Sequence, residues 1–127
     1  LNIPGRHNVL NALACIAVAR LAGVAFPAIC DALAQFHGAK RRFQTKGKER
    51  GVWVVDDYAH HPTEIAVTLA SARQTNPERL ICVFQPHRYS RTQLLRAEFG
   101  KCFADADLLL ITDVYAAGET PIPGISG

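Results

Sequence analysis

Three times in this chain a short run of β-branched, aromatic and aliphatic residues gives way to a polar loop, and that repetition limits the fold more than any other feature. Val52-Trp53-Val54-Val55 leads into Asp56-Asp57-Tyr58-Ala59-His60-His61. Leu80-Ile81-Cys82-Val83-Phe84 leads into Gln85-Pro86-His87-Arg88-Tyr89-Ser90-Arg91-Thr92, and Leu108-Leu109-Leu110-Ile111-Thr112 into Asp113-Val114-Tyr115-Ala116-Ala117-Gly118-Glu119. Helical patterns separate the runs. One extends from Pro62 to about Gln74, burying Ile65, Leu69 and Ala72 and stopped by Asn76-Pro77; another carries Leu95, Phe99 and Cys102 on its inner face. Strands alternating with helices at this spacing read as β-α-β units with right-handed crossovers. The expected class is therefore α/β, a small Rossmann-like, doubly wound sheet with Val52–Val55 as a buried strand. With the strands as parallel neighbours, the three loops meet along one edge, where open α/β sheets take their ligands.

The amino-terminal part follows a different pattern. After an irregular lead-in through Asn8, Val9, Leu10, Leu13, Ile16, Ala17 and Val18 describe a helix apolar on nearly all sides, ended by Gly23. Such a helix is expected to be buried, in part against material outside these residues. A second helix places Pro27 early and Ile29, Leu33 and Phe36 on one stripe, with Gly38 closing it. Helical periodicity then yields to a basic stretch, which sets a domain boundary: residues 1–38 form an N-terminal helical pair and 39–127 the sheet domain. Arg42–Thr45 and Val52–Val55 read as a hairpin around the turn-rich Lys46–Gly51.

Composition narrows the classes. A chain of 127 residues with 49% hydrophobic and 20% charged residues is an ordinary soluble folded protein, and a net charge of +3 is too small to imply nucleic acid by itself. Its densest basic part, Lys40 to Arg50, is broken by Phe43, Gln44, Gly47 and Glu49, so it reads as a solvated face with one or two functional arginines. Cys15, Cys30, Cys82 and Cys102 form no C-x-x-C pair and read as small reduced core residues of a cytosolic protein. Val9–Ala22 is too short and alanine-rich for a membrane span, and no signal-peptide pattern is visible. The first residue is not methionine and Gly124–Gly127 is turn-like, which suggests an excised piece of a longer chain.

The loops allow several chemistries. Adjacent His60 and His61 point in opposite directions on an extended chain, and without H-E-x-x-H or Cys/His spacing they make a poor zinc site, so no metal ligand is expected. Asp56-Asp57 suits a general acid/base pair, metal carboxylates, or a strand-end carboxylate on a ribose. Arg88 and Arg91, three apart, carry forked permanent charges suited to carboxylate or phosphate, with salt bridging at a helix start as the plain alternative. Asn8 and Asn11 share a helix face, although Asn8 serves equally well as an N-cap. No phosphate-binding P-loop, G-x-G-x-x-G fingerprint or nucleophile elbow occurs, so any phosphate cradle lies elsewhere.

Five ordered motifs, Gly5-Arg6-His7-Asn8-Val9-Leu10-Asn11-Ala12, Arg41-Arg42-Phe43, Asp56 to Glu64, Gln85 to Thr92 and Val114 to Gly124, together resemble the Mur ligases over essentially the whole chain. The resemblance implies a three-domain bacterial cytoplasmic enzyme that joins L-alanine to UDP-N-acetylmuramate using ATP and Mg2+, by way of an acyl phosphate. It implies that residues 1–38 end a central ATP-binding domain and that 39–127 are most of a carboxyl-terminal ligase domain. By the same resemblance Asn8 and Asn11 hold adenine with His7 adjoining, and Arg42 and Asp57 meet the phosphates and ribose. Tyr58, His60, Arg88 and Arg91 lie near the substrate carboxylate and incoming amino acid, with His87 beside them; His60, Arg88 and Arg91 are the implied catalytic residues. Magnesium ligands are implied to lie outside these residues. The rival readings are a ligase that recycles a whole tripeptide onto the same sugar, a non-catalytic nucleotide-binding module, and nucleic-acid binding through Lys40 to Arg50. The motifs favour neither nucleic acid nor membrane as a partner.

Overall fold

Gly5, with φ 103, breaks the extended lead-in and lets helix α1 start at Arg6, three residues earlier than the apolar periodicity indicates. The computed structural model describes all residues, Leu1–Gly127, and its chain divides into two compact units, Leu1–Tyr58 and Ala59–Gly127. In the first, α1 (Arg6–Leu21) ends at the expected glycine: Gly23 N–H bonds Arg20 O and Val24 N–H bonds Ala19 O, a Schellman closure with Gly23 at φ 81. Because Gly5 is the N-cap, Asn8 is not. It sits inside the first turn, and its Nδ2 donates to Pro4 O at 2.6 Å.

Helix α2 (Phe26–Gln35) carries Pro27 in its first turn and buries Ile29. It stops before Gly38: Phe36 turns to extended backbone (φ −78, ψ 119) and is largely exposed. The expected burial of α1 is not seen. Only Ala12 is buried, while Leu10, Leu13, Val18 and Leu21 are more than half exposed, because a single packed helix covers only one side of a cylinder that is apolar all round. Cys15 and Cys30 are exposed as well, contrary to their reading as core residues.

Strand β1 (Gln44–Glu49) pairs antiparallel with β2 (Val52–Asp56), confirming the hairpin but not its turn. Glu49 faces Val52 directly, and Arg50 and Gly51 take φ 50 and 78, the double left-handed geometry of a type I′ connection. The turn is thus two residues long, and the charged residues before it continue the strand. A bulge between Thr45 and Gly47 adjusts the register. β2 is only half-buried, with Val52 and Val54 exposed; on its other face Trp53 meets Phe43 edge-on at 5.8 Å and donates Nε1–H to Thr45 Oγ1 at 3.1 Å.

The second unit is the β-α-β part. Helix α3 (Pro62–Arg73) buries Pro62, Ile65, Leu69 and Ser71, with Ala72 partly covered. β3 (Ile81–Phe84) runs parallel and in register with β4 (Leu108–Ile111), and between them lie α4 (Tyr89–Leu94) and α5 (Arg96–Phe99). These two short helices replace the single expected one because Leu95, at φ −105 and ψ 23, interrupts the turn. Ile65, Leu69, Phe84 and Cys102 form the core, packed by Phe99, Phe103 and Leu109. Arg73 clasps the strand approaches, its Nη2 2.6 Å from Asp107 Oδ1, while Asp107 Oδ2 accepts from Leu80 N–H at 2.6 Å. The α/β class holds, but not as one sheet. β1 pairs with β2 and β3 with β4 in separate two-stranded sheets, since β2 forms its ladder with the hairpin partner that a two-residue turn keeps beside it. No helix is long and apolar enough to cross a membrane.

Candidate active site

In the second unit, three polar segments converge beyond the strand ends. His87, after β3, forms a parallel bridge with Tyr115, after β4: Arg88 N–H donates to Tyr115 O and Tyr115 N–H to Pro86 O, both at 2.8 Å. The His87 and Tyr115 rings lie 5.3 Å apart at 30°. His60, immediately before α3, brings its ring to 6.4 Å from that of His87. Convergence of loops, expected for all three strands, is realised here for the His60 turn and the two loops of the parallel pair.

The α3 amino end explains the two histidines. His61 is the N-cap, its Nδ1 accepting from Thr63 N–H at 3.3 Å, and Glu64 Oε2 accepts from His60 N–H and His61 N–H at 3.1 and 3.3 Å. This reciprocal capping box occupies His61 and leaves His60 facing the cluster, its Nδ1 3.7 Å from Glu64 Oε2. Glu64 therefore does two jobs: it satisfies helix-start donors and sets an acidic neighbour beside His60.

Arg88 is held in an unusual backbone state, φ 75 and ψ 132, where a side chain crowds its own backbone. That conformation turns the chain sharply between β3 and α4. Thr92 N–H and Oγ1–H both donate to Arg88 O, and Arg91 Nη1 reaches His87 O at 3.5 Å. The arginines mark the imidazole: partial desolvation, then the Arg91, Arg88 and His60 charges, push His87 below the ordinary histidine value, against an upward pull from Glu119. A neutral His87 beside two permanent cations makes a surface suited to an anionic group. An apolar cavity of about 280 Å³ lies among Phe84, Pro86, Phe99, Phe103 and Leu109, and none of His60, His87, Arg88 or Arg91 lines it.

The remaining candidates belong to the first unit. Asn8 and Asn11 lie three residues apart on α1, Asn8 part-buried and Asn11 exposed, and His7 beside them has a buried Nδ1 without a hydrogen-bond partner. Asp57 Oδ2 accepts from Phe43 N–H at 2.8 Å, which fixes the carboxylate just past β2. Tyr58 N–H donates to Arg41 O at 2.7 Å, and the Arg41 and Arg42 guanidinium carbons stand 4.9 and 5.7 Å from the centre of its ring. Asp56 meets Arg41 and Lys46 at 3.8 and 3.5 Å, and Lys48 lies over Trp53, so most of the basic stretch is engaged within the hairpin.

Sequence reading missed Glu64, Ser90, Tyr115 and Glu119 as contributors. Glu64 had a legible signal, a carboxylate three residues after a capping position. Ser90 and Glu119 had none, since their contact spans 29 residues: Ser90 N–H and Oγ–H donate to the two oxygens of Glu119 at 3.0 and 2.6 Å, and these bonds hold the Glu119 carboxyl below its usual range.

Comparison with known proteins agrees with the resemblance drawn from the motifs. The family described as Mur ligase, glutamate ligase domain, matches residues 41–126. The UDP-N-acetylmuramate--L-alanine ligase of Trichlorobacter lovleyi is 60% identical over 126 residues, covering 98% of this chain and 28% of that protein. Its counterpart in Desulforamulus reducens is 54% identical, covering 98% and 27%. Among solved structures, the UDP-N-acetylmuramate-alanine ligase of Thermotoga maritima aligns with a TM-score of 0.78 at 38% identity, over 89% of this chain and 25% of that one. A murein peptide ligase from Psychrobacter arcticus aligns with a TM-score of 0.60 at 35% identity, over 86% and 23%. The chain thus spans 28% and 27% of the length of the two curated relatives.

Proposed function

Because this chain belongs to the Mur ligase family, we propose that it forms part of an ATP-dependent ligase that joins L-alanine to UDP-N-acetylmuramate in bacterial peptidoglycan precursor synthesis. The observation that carries the reading furthest is the meeting of His60 with the His87, Arg88 and Arg91 loop, two segments of one unit, with Tyr115 of a third bridged to His87. The break at 38/39 separates the end of a central ATP-binding domain from the ligase domain, a division supported by the family match beginning at residue 41. The enzyme is read as cytoplasmic, where its nucleotide-linked substrates are made.

The reaction begins with transfer of the ATP γ-phosphoryl group to the lactyl carboxylate of the sugar. The alanine amine attacks the resulting acyl phosphate, and the tetrahedral adduct expels phosphate to leave the amide. Arg88 and Arg91 hold the amino acid's carboxylate and stabilise oxygens that gain negative charge. His87, neutral near pH 7 because its pKa is lowered, adds no third positive charge to the pair. His60, set by the α3 cap and flanked by Glu64, helps orient the reacting groups. By family resemblance Tyr58 is assigned to substrate binding.

ATP fits the remaining candidates by donor chemistry. Asn8 and Asn11 read the adenine edge, with Asn8 using Oδ1 because its Nδ2 is engaged by Pro4; Asp57 accepts ribose hydroxyls, and Arg42 meets phosphate. Mg2+ would be held by one or two carboxylates together with the phosphates of ATP; no group of three or more His, Cys, Asp or Glu side chains is gathered here, and its protein ligands are assigned to other parts of the ligase. The tripeptide-recycling ligase stays the second reading, favoured by the Psychrobacter arcticus likeness but with the lower TM-score.

The test is kinetic, in the intact protein. Arg88→Ala should mainly reduce the rate with L-alanine and UDP-N-acetylmuramate, and Asp57→Ala should mainly weaken ATP, each by roughly 1 to 3 kcal/mol for a lost charged hydrogen bond. Unchanged kinetics in both variants would remove the assignment.

A further inference from the structure

Of the segments that meet in the second unit, the one after β4 supplies no proposed substrate ligand, yet its last residue grips the arginine loop. Both oxygens of Glu119 accept from one residue, Ser90, through its N–H at 3.0 Å and its Oγ–H at 2.6 Å. Ser90 stands between Arg88 and Arg91. Glu119 is brought there by a tight turn in which Ala117 and Gly118 take φ 51 and 86 and Glu119 N–H closes on Ala116 O at 3.0 Å. Nothing within 4 Å would meet a Cβ on Gly118, so it is the backbone angle that calls for glycine.

We propose that Glu119 is a positioning residue that fixes the angle at which Arg88 and Arg91 are offered to the carboxylate of the incoming amino acid. The inference rests on the reading of those arginines as amino-acid ligands. Arg88 occupies a backbone state that the chain would leave if it were free to do so, so something must hold it. Three restraints are present: the Tyr115 backbone, which accepts from Arg88 N–H, Thr92, whose N–H and Oγ1–H donate to Arg88 O, and Glu119, which pins the residue two positions on. The first uses main-chain groups that any sequence supplies. Glu119 is a side chain from a distant segment, and its carboxylate, bonded twice to Ser90 and acting on the Arg88 charge, is able to hold the arginine loop before an anionic substrate arrives. The remaining alternative, a plain cap for α4, predicts a loss of stability without any substrate-selective effect.

The experiment compares KM values for L-alanine and for ATP in the intact ligase. Glu119→Ala should raise the KM for alanine roughly tenfold and leave that for ATP within about twofold, as expected when ligands are misplaced rather than removed. Glu119→Gln, whose amide can still bond both Ser90 groups, should return the alanine KM to within about threefold of the parent. Ser90→Ala keeps the N–H contact and loses only the hydroxyl one, and should raise the alanine KM by about twofold to fivefold, which serves if Glu119→Ala does not fold. Equal changes in both KM values, or none, would overturn the proposal. Arg91→Ala separates the two levels. If it raises the alanine KM while Glu119→Ala and Ser90→Ala do not, only the positioning role falls; if it does not, the arginine assignment falls and takes this inference with it.

Discussion

At the scale of single residues, His87 is the most sensitive reporter of the cluster. Burial and the nearby Arg91 and Arg88 charges favour its neutral form, so its folded-state pKa lies below the ordinary value near 6.5. Between that depressed value and 6.5 the unfolded chain binds more protons than the folded one. Stability from this group is therefore complete above 6.5 and declines as pH falls toward the folded-state pKa. A proton NMR titration of the His87 ring should give a midpoint below 6.5 that moves upward in Arg91→Ala. A midpoint at or above 6.5 would mean that the arginines do not face the ring. Residue types at the strand ends made His60, His87, Arg88 and Asp57 visible in the sequence, because permanent charge and imidazole in such loops are chemically conspicuous. Glu119 was not visible in the same way: its partner is 29 residues distant, and only the left-handed turn at Ala117-Gly118 reveals where it goes.

At the scale of elements, α3 shows which patterns translate directly into structure. Ile65 and Leu69, four apart, are buried as their spacing requires, and the helix begins at Pro62 as its pattern requires. Leu69→Ala should cost about 2 to 5 kcal/mol in urea unfolding of the chain, whereas Val67→Ala, on the exposed side, should stay within about 0.5 kcal/mol. Similar losses at both positions would contradict the assigned faces. Other elements were less legible for stated physical reasons. Gly47 and its charged neighbours mimic turn chemistry, so the sequence pattern gives β1 too short a span; the decisive Arg50-Gly51 pair lies at the end of that run. Helix α1 lacks a preferred apolar side, and periodicity therefore gives no hint of which residues face α2.

At the scale of the molecule, local alternation of strands and helices gave the α/β class and the parallel β3–β4 pair but not the number of sheets. Pairing depends on which edge finds which partner, and β2 forms its ladder with the adjacent β1 rather than a parallel neighbour. The chain matches its curated relatives along 28% and 27% of their length, which bears on what it does alone. Isolated, these 127 residues should show no alanine-dependent ATP hydrolysis and at best weak ATP binding, because no G-x-x-x-x-G-K-[ST] sequence occurs among them. Turnover by the chain alone would contradict that division of labour. The amine proposed to meet the His60–His87–Arg88–Arg91 cluster is identified most directly by phosphate release in the intact protein with ATP and UDP-N-acetylmuramate. L-alanine should drive saturable release that falls roughly tenfold or more in Arg88→Ala; release driven only by a tripeptide, or equal without any amine, would contradict the account.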